Sequence, residues 1–144
     1  MRKRSGGKRR RDRRRNRYVL YLDENLCTCQ AVVSALKRNS VKFESHLSHF
    51  KRGTQDSVWL SFVGRKGLIL ITKDKGIRYN EIEKAQVVLH RIRQFSFSSG
   101  NMSGAEMAEI LVKHLHRLFR LCTQQGPPFI ASLTASGIHL RFKG

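Results

Sequence analysis

The feature that most constrains the fold of this chain is an alternation of short apolar runs with segments of helical periodicity. Residues 18–22 and residues 68–71 are apolar or aromatic runs bounded by polar residues, a pattern typical of buried strands. Residues 26–37 carry apolar positions at helical spacing, and alternation over residues 41–45 predicts a second short strand. Thr54 is expected to cap another helix. This order predicts an α/β fold, in which a mainly parallel sheet has helices on both faces.

The helix after Thr54 has a predicted apolar face and a predicted end. The face is expected to consist of Val58, Trp59, Phe62 and Val63. Basic residues followed by glycine in Gly64-Arg-Lys-Gly67 predict that the helix ends there.

The second half of the chain is expected to continue this layered arrangement. Residues 81–86 are assigned to a helical turn, and the apolar run of residues 87–92 predicts a fourth strand. Residues 96–101 have the composition of a loop. Ser103 is then expected to cap a long helix over residues 104–121.

The end of the chain predicts a β-hairpin at the edge of the sheet. Apolar residues 129–133 and 138–142 flank the turn sequence Thr134-Ala-Ser-Gly137. With 144 residues in all, residues 18–144 are predicted to form a single domain that buries its own core.

The charge of the chain points to a polyanionic partner. There are 29 Lys and Arg against 10 Asp and Glu, a formal net charge of +19. Residues 1–17 hold eleven of the basic residues and only Asp12 as an acidic one, so this segment is predicted to be a disordered basic tail. It is interpreted either as an arm for nucleic acid or as a solubilising extension. A field of this sign attracts phosphate backbones by releasing their counterions.

The sequence indicates neither a membrane nor a secretory route. No apolar run reaches the roughly 18 residues of a membrane span, and no apolar segment follows the basic tail as it would in a signal peptide. Cys27, Cys29 and Cys122 are an odd set without the spacing of a disulfide framework, which fits a reducing compartment. We therefore expect a cytoplasmic protein without a membrane partner. Its thiols should be buried or half-buried, with Cys27 and Cys29 in the first turns of a helix.

Three acidic residues are candidates for a metal site. Asp23 and Asp74 follow apolar runs that are predicted strands, and Asp56 lies at the start of a predicted helix. Carboxyl ends of parallel strands and helix N-termini meet at the crevice where such sheets bind ligands. Carboxylates there suit Mg²⁺ or Mn²⁺, which would favour phosphodiester hydrolysis. Each residue alone also fits an ordinary role, in an Asx turn, in the first turn of a helix or in a loop.

Three short motifs follow one another in the first half of the chain. They are Leu22-Asp-Glu-Asn-Leu26, Gly53-Thr-Gln-Asp-Ser-Val-Trp59 and Leu70-Ile-Thr-Lys-Asp74. With these motifs in this order, the chain resembles the compact PIN-like domains related to the VapC toxins of bacterial toxin–antitoxin pairs. The resemblance covers about residues 18–115. It implies a three-layer α/β/α fold whose clustered acidic residues bind Mg²⁺ or Mn²⁺ and cleave RNA.

The resemblance also implies roles for individual residues. Asp23, Asp56 and Asp74 match the acidic metal ligands, and Thr72 matches a strand-end threonine whose hydroxyl holds the geometry of the site. The glutamate that related domains carry on an intervening helix has no clear counterpart. Either Glu24 replaces it or the site works with three carboxylates. A degenerate domain that binds RNA without cutting it is the alternative.

Other residues near these carboxylates have simpler interpretations beside the functional one. Candidates for binding phosphates are Lys51, Arg52, Lys73, Lys75 and Arg78. Trp59 is expected to belong to the core rather than to stack on a base. His46 and His49 are interpreted as loop histidines rather than zinc ligands.

The combined prediction is a Mg²⁺- or Mn²⁺-dependent endoribonuclease that acts as the toxin of a toxin–antitoxin pair. The alternative is a catalytically degenerate module that binds RNA or an antitoxin. The expected partners are RNA, a cognate antitoxin and, in a homodimer, a second copy of the chain. Either protein partner would dock on the basic surface or on the C-terminal hairpin.

Overall fold

A computed structural model of the protein describes residues 17–73, 81–98 and 101–144. In those ranges, six strands form one sheet in the order β2-β1-β3-β4-β5-β6. The strands are β1 (Leu20–Leu22), β2 (Phe43–Ser45), β3 (Ile69–Lys73), β4 (Arg93–Phe97), β5 (Phe129–Thr134) and β6 (Gly137–Lys143). The pairs from β2 through β5 are parallel, and β6 runs antiparallel to β5. The predicted parallel sheet and C-terminal hairpin are confirmed, while the predicted basic tail lies outside the described residues apart from Arg17.

Helices cover both faces of the sheet. They are α1 (Gln30–Arg38), α2 (Asp56–Lys66), α3 (Glu81–His90), α4 (Gly104–Lys113) and α5 (Leu115–Gln124), with a 3-10 turn at His46–Ser48. Because side chains alternate along a strand, one set of strand residues packs under α1, α4 and α5, and the other packs under α2 and α3. The predicted three-layer α/β/α arrangement is confirmed.

The strand order creates a switch point beside β1. The chain leaves β1 for β2 on one side and later returns to β3 on the other side. In open sheets of this kind the crevice for a ligand forms at the carboxyl ends of the strands that flank such a point. Asp23, which directly follows β1, is therefore at the place where the fold most favours a site.

The region between β3 and β5 differs from the prediction. Residues 87–92, predicted as a strand, belong mostly to α3, and β4 follows at Arg93–Phe97. The apolar run has the composition of a buried strand, but it lies in a helix and includes both buried and exposed positions. Val87 is buried, but Val88 is 45% exposed and Leu89 is 71% exposed. Ser96 and Phe97, predicted as loop, are therefore strand residues.

The predicted helix over residues 104–121 is two helices that meet at His114. Its predicted start is confirmed, because Ser103 and Glu106 form a reciprocal capping box. The imidazole of His114 is buried, and its Nε2 lies 3.3 Å from the carbonyl oxygen of Ala135. The second helix continues to Gln124.

The start of α2 also corrects the prediction. Thr54 is not the cap, because its hydroxyl donates to the carbonyl of Lys51 at 2.6 Å and the helix begins at Asp56. Val58 does not share the buried face, since it is 49% exposed. The end is as predicted, with Gly67 in the left-handed conformation (φ 64°).

The cysteines lie where the fold can shield them. Cys27 precedes α1 and Cys29 is its N-cap residue, so the predicted position inside the first helical turns was wrong for both. Both thiols are free and half-buried. Cys122 is free and buried, and burial raises the pKa of its thiol to about 12. In the part of the chain that the structure describes, no helix is long and apolar enough to cross a membrane.

Candidate acidic site

Asp23 is the buried acidic residue at the carboxyl end of β1. Its backbone N–H donates to the carbonyl of Ile71 at 3.4 Å, so the pairing with β3 continues past Leu22. This register brings Asp23 alongside Thr72. The Asp23 carboxylate accepts a hydrogen bond from the backbone N–H of Leu26 at 2.9 Å, and this bond stabilises the turn after the strand. Asp23 thus has the structural role of an Asx turn at the position predicted for a metal ligand.

Thr72 is held by polar side chains from the neighbouring strand. Its hydroxyl lies 2.8 Å from the hydroxyl of Ser96, which also accepts the Gln94 amide at 3.1 Å. The Gln94 amide donates in addition to the Glu83 carboxylate on α3, at 2.7 Å. Sequence reasoning missed Ser96 and Gln94. Their alternation with Phe95 and Phe97 was the available signal, because a buried strand with one polar face has this pattern.

The carboxylates of Asp56 and Glu24 each accept a hydrogen bond from the protein. Asp56 is the first residue of α2 and is exposed, and its carboxylate accepts the indole N–H of Trp59 at 3.1 Å. The Glu24 carboxylate accepts the backbone N–H of Gly53 at 2.9 Å. Glu24 therefore links the end of β1 to the loop that leads into α2.

His46 lies beside the Glu24 carboxylate and was missed as a site residue. It lies in the 3-10 turn that follows β2 and is only 1% exposed. Its Nδ1 is 2.7 Å from the hydroxyl of Tyr21. Its Nε2 lies 3.8 Å from the Glu24 carboxylate and has no hydrogen-bond partner among the described residues. Burial lowers the pKa of His46, while the negative charges of Glu24 and Asp56 partly oppose that shift.

An aromatic cluster packs around this histidine. The Trp59 ring stacks on Tyr21 with centroids 5.9 Å apart and planes within 8°, and it meets His46 edge-on at 5.4 Å. Phe50 and Phe62 complete the cluster. The expectation that Trp59 packs within the protein agrees with these contacts, although its ring is only half-buried. Burial raises the pKa of the Tyr21 hydroxyl, with smaller contributions from Cys27 and Asp23, so Tyr21 stays neutral.

Comparison with protein families identifies the type of domain. A family model described as a PIN-like domain matches residues 19–99, more than half of the chain. The chain belongs to the PIN-like domain family. PIN domains are generally nucleases and generally use divalent metal ions, so the fold is of a nuclease type. Neither the curated proteins nor the solved structures that were compared gave a match.

The matched part of this PIN-like domain includes every residue of the predicted acidic site. Within the described residues, no group of three or more His, Cys, Asp or Glu side chains is close enough to hold a metal ion. Asp74, the third predicted ligand, lies outside the described residues. The carboxylates of Asp23, Glu24 and Asp56 are of the hard oxygen type that a divalent ion prefers. The type of donor therefore suits a hard divalent ion, whereas the described carboxylates alone do not form a group that could hold one.

Three of the predicted phosphate-binding residues are placed by the structure. Lys51 and Arg52 are exposed and directly precede Gly53, the residue that bonds to Glu24. Lys73 is half-buried at the end of β3. Lys75 and Arg78 lie outside the described residues. The two exposed cations therefore belong to the loop that bonds to Glu24 and leads into α2.

Proposed function

We propose that this PIN-like domain is a Mg²⁺- or Mn²⁺-dependent endoribonuclease. The observation that carries the proposal is the family match over residues 19–99, together with the position of Asp23 at the switch point of the sheet. A nuclease fold with carboxylates at this crevice needs a hard cation to act on a phosphodiester. Asp23, Asp56 and Asp74 would hold that cation, and Glu24 would supply a further carboxylate.

The residues around these carboxylates have separate tasks in the proposed reaction. The bound divalent ion would supply an activated water and neutralise charge on the phosphodiester. Thr72, fixed by Ser96, would hold the strand end beside Asp23 in place. Lys51, Arg52 and Lys73 would bind the phosphates of RNA on either side of the bond that is cut, and Lys75 and Arg78 would extend that surface.

RNA is the proposed substrate because of the charge of the chain. A net charge of +19 gives a strong, sequence-independent attraction to a nucleic-acid backbone. Binding is therefore expected to weaken steeply with salt. The resemblance of the three acidic motifs to the PIN-like domains related to VapC toxins favours RNA over DNA.

We also propose that the ribonuclease is the toxin of a toxin–antitoxin pair and that it works in the cytoplasm. The resemblance to VapC-related domains supports this role. A cognate antitoxin is the proposed protein partner, and a homodimer is the proposed assembly. Control by an antitoxin predicts that the chain copurifies with an acidic or DNA-binding partner protein. It also predicts that expression of the chain without this partner stops cell growth.

The direct test is cleavage of single-stranded RNA in Mn²⁺. Asp23→Asn and Asp74→Asn should each lower the cleavage rate by at least about a hundredfold, because each removes a charged ligand of the ion. Glu109→Gln is a matched control, since Glu109 is an exposed carboxylate on α4, on the opposite face of the sheet. Equal cleavage by the wild type and both aspartate variants would reject the proposal.

A second candidate is an RNA-binding module without catalysis. The specific observation in its favour is that Asp23, Glu24 and Asp56 each accept a hydrogen bond from the protein itself. Carboxylates with such bonds can serve a structural purpose alone. This candidate predicts salt-sensitive RNA binding that persists in EDTA, with no product formed after prolonged incubation in Mn²⁺.

A further inference from the structure

A row of polar residues crosses the sheet at the level of Asp23, which lies alongside Thr72 of β3. Thr72 is the register partner of Ser96 on β4, and Ser96 is the partner of Ser132 on β5. On the edge strand β6, His139 lies opposite Ser132. These side chains share the face under α2 and α3, because they alternate with residues that pack on the other face. The row therefore runs from the candidate acidic site to the edge of the sheet.

Arg141 lies at the outer end of this row. A bulge between Leu140 and Phe142 leaves Arg141 without a partner residue on β5, so its side chain can turn towards Ser132. Its Nε donates to the Ser132 hydroxyl at 2.8 Å. Ser132 is only 1% exposed, whereas Arg141 is exposed. A buried hydroxyl thus fixes the direction of a guanidinium group that faces solvent.

The outer part of this guanidinium group is available to a ligand. Its two terminal nitrogens carry the remaining N–H donors. Among the described residues, no carboxylate forms an ion pair with Arg141. The arrangement therefore presents an oriented cation, which suits the paired oxygens of a phosphate group.

Further donors surround the turn between β5 and β6. The Nε2 atom of His139 is 3.2 Å from the hydroxyl of Thr134 and 3.5 Å from that of Ser136. Arg117 is exposed in the first turn of α5, and its Nη1 would lie 3.6 Å from a Cβ atom added to Gly137. Arg117 also forms no ion pair with a carboxylate in the described ranges. A second guanidinium group therefore lies against the turn, together with an imidazole and two hydroxyls.

We propose that Arg141, together with Arg117 and His139, binds the backbone phosphates of RNA away from the bond that is cut. Four strand spacings separate β6 from β1, so this site lies about 19 Å across the sheet from Asp23. RNA is favoured over an acidic protein because the polar row leads back to the candidate acidic site. The inference rests on the proposed function, since it assigns a second contact to the proposed substrate. It requires no metal ligand.

Arg65 provides the matched control for Arg141. It is exposed in the last turn of α2, and its Nε donates to the backbone carbonyl of Ser61 at 3.4 Å. Because α2 leads into the start of β3, Arg65 lies at the opposite end of the sheet from Asp23. Arg65→Gln and Arg141→Gln each remove one positive charge from an exposed arginine. An effect of net charge alone should therefore appear equally in both variants.

The experiment measures binding of a single-stranded RNA of about ten nucleotides to the full chain, in EDTA and over a range of salt concentrations. EDTA separates binding from cleavage. Arg141→Gln should weaken binding about tenfold. It should also reduce the slope of log affinity against log salt by about 0.7, the value for one phosphate contact with a single strand. Arg117→Gln should give a smaller loss, and Arg65→Gln should keep the wild-type slope.

Two further variants test whether Ser132 positions Arg141. Ser132→Ala keeps every charge and removes the anchoring hydroxyl, and should weaken RNA binding about threefold. Arg141→Lys keeps the charge without touching the buried serine and should show a similar loss, because Lys lacks the planar fork of donors. In the Arg141→Gln background, Ser132→Ala should have no further effect. The same threefold loss in that background would show that Ser132 acts through the fold rather than through Arg141.

The outcomes distinguish this inference from the proposed function. Wild-type affinity and salt slope in Arg141→Gln would overturn the inference and leave the proposed function standing. Equal losses in Arg141→Gln and Arg65→Gln would also overturn it, because net charge would then explain both. Loss of a copurifying acidic protein from Arg141→Gln, with RNA affinity unchanged, would assign the site to that protein instead. If the wild-type chain binds no RNA, the proposed function fails and this inference fails with it.

Discussion

The two faces of the sheet differ in the polarity of their side chains. The face under α1, α4 and α5 packs almost entirely apolar side chains, including Phe95, Phe97 and Phe119. The face under α2 and α3 has a smaller apolar core and carries hydrogen-bonded polar groups towards the carboxyl ends of the strands. On that face lie Tyr21, Asp23, His46, Thr72, Gln94, Ser96 and Ser132.

This difference indicates that the side chains that stabilise the fold and those that serve activity lie on different faces of the sheet. Buried apolar surface stabilises the fold without requiring particular partners, whereas a buried polar group costs free energy unless it is hydrogen-bonded. The protein concentrates the polar groups on one face, where they surround the carboxylates of the candidate site. The apolar face should therefore govern stability, and the mixed face should govern activity. Three substitutions and one change of pH test that division.

The largest loss of stability is expected on the apolar face. Phe119 is buried on α5 and stacks on Tyr18, with ring centroids 6.0 Å apart. Phe119→Ala should lower the free energy of unfolding by about 3–5 kcal/mol, because it removes a large buried ring and leaves a cavity. Urea unfolding measures this loss. Cleavage per folded molecule, measured in the milder Phe119→Leu, should match the wild type, and a lower rate there would break the division between the faces.

A smaller loss is expected where α2 and α3 approach each other on the mixed face. A Cβ atom added to Gly64 would lie 2.0 Å from the backbone carbonyl oxygen of His90. Gly64→Ala must therefore push α3 away, at a cost on the order of 1–3 kcal/mol in unfolding free energy. Gly126→Ala is the control, since a Cβ there meets nothing within 4 Å. Equal stability of the two variants would show that the helices on this face are loosely packed.

The third substitution tests whether the mixed face serves activity more than stability. Ser96→Ala removes the hydroxyl that contacts Thr72 and Gln94, while Gln94 keeps its bond to Glu83. Loss of these bonds should cost about 0.5–1.5 kcal/mol of unfolding free energy. RNA cleavage should fall about tenfold, because Thr72 loses the partner that holds it beside Asp23. If the free energy of unfolding fell by several kcal/mol while the cleavage rate per folded molecule stayed constant, the hydrogen bonds among Thr72, Gln94 and Ser96 would serve only the structure.

The sequence predicted the layers more readily than the polar contacts within them. Period-two alternation and the capping box at Ser103 are local signals, so the parallel sheet, the hairpin and the start of α4 could be inferred. The run at residues 87–92 has the composition of a strand, and only the packing of α3 shows which part is exposed. The candidates Asp23 and Asp56 came from the end of a predicted strand and the start of a predicted helix, and the order of the motifs added the family resemblance. The role of His46 depends on contacts with Tyr21 and Glu24, residues 25 and 22 positions away, which no local pattern reveals.

The smallest expected effect is a pH dependence that arises from His46 on the mixed face. Burial lowers its pKa in the folded protein below the ordinary value of 6.5, against the opposing pull of Glu24 and Asp56 and with the help of nearby His49. As the pH falls, His46 is therefore protonated in the unfolded chain at a higher pH than in the folded protein. Stability should be complete above about pH 6.5 and should decrease as the pH falls from there towards the lowered pKa.

His46→Asn should remove this part of the acid sensitivity, whereas His49→Asn should keep most of it, because His49 is exposed. Urea unfolding at pH 7.5, 6.5 and 5.5 in the absence of divalent metal measures the difference. Loss of stability with the same slope in the wild type and in His46→Asn would mean that His46 is free to accept a proton in the folded state. Its environment on the mixed face would then be more open to solvent than the contacts with Tyr21 and Trp59 indicate.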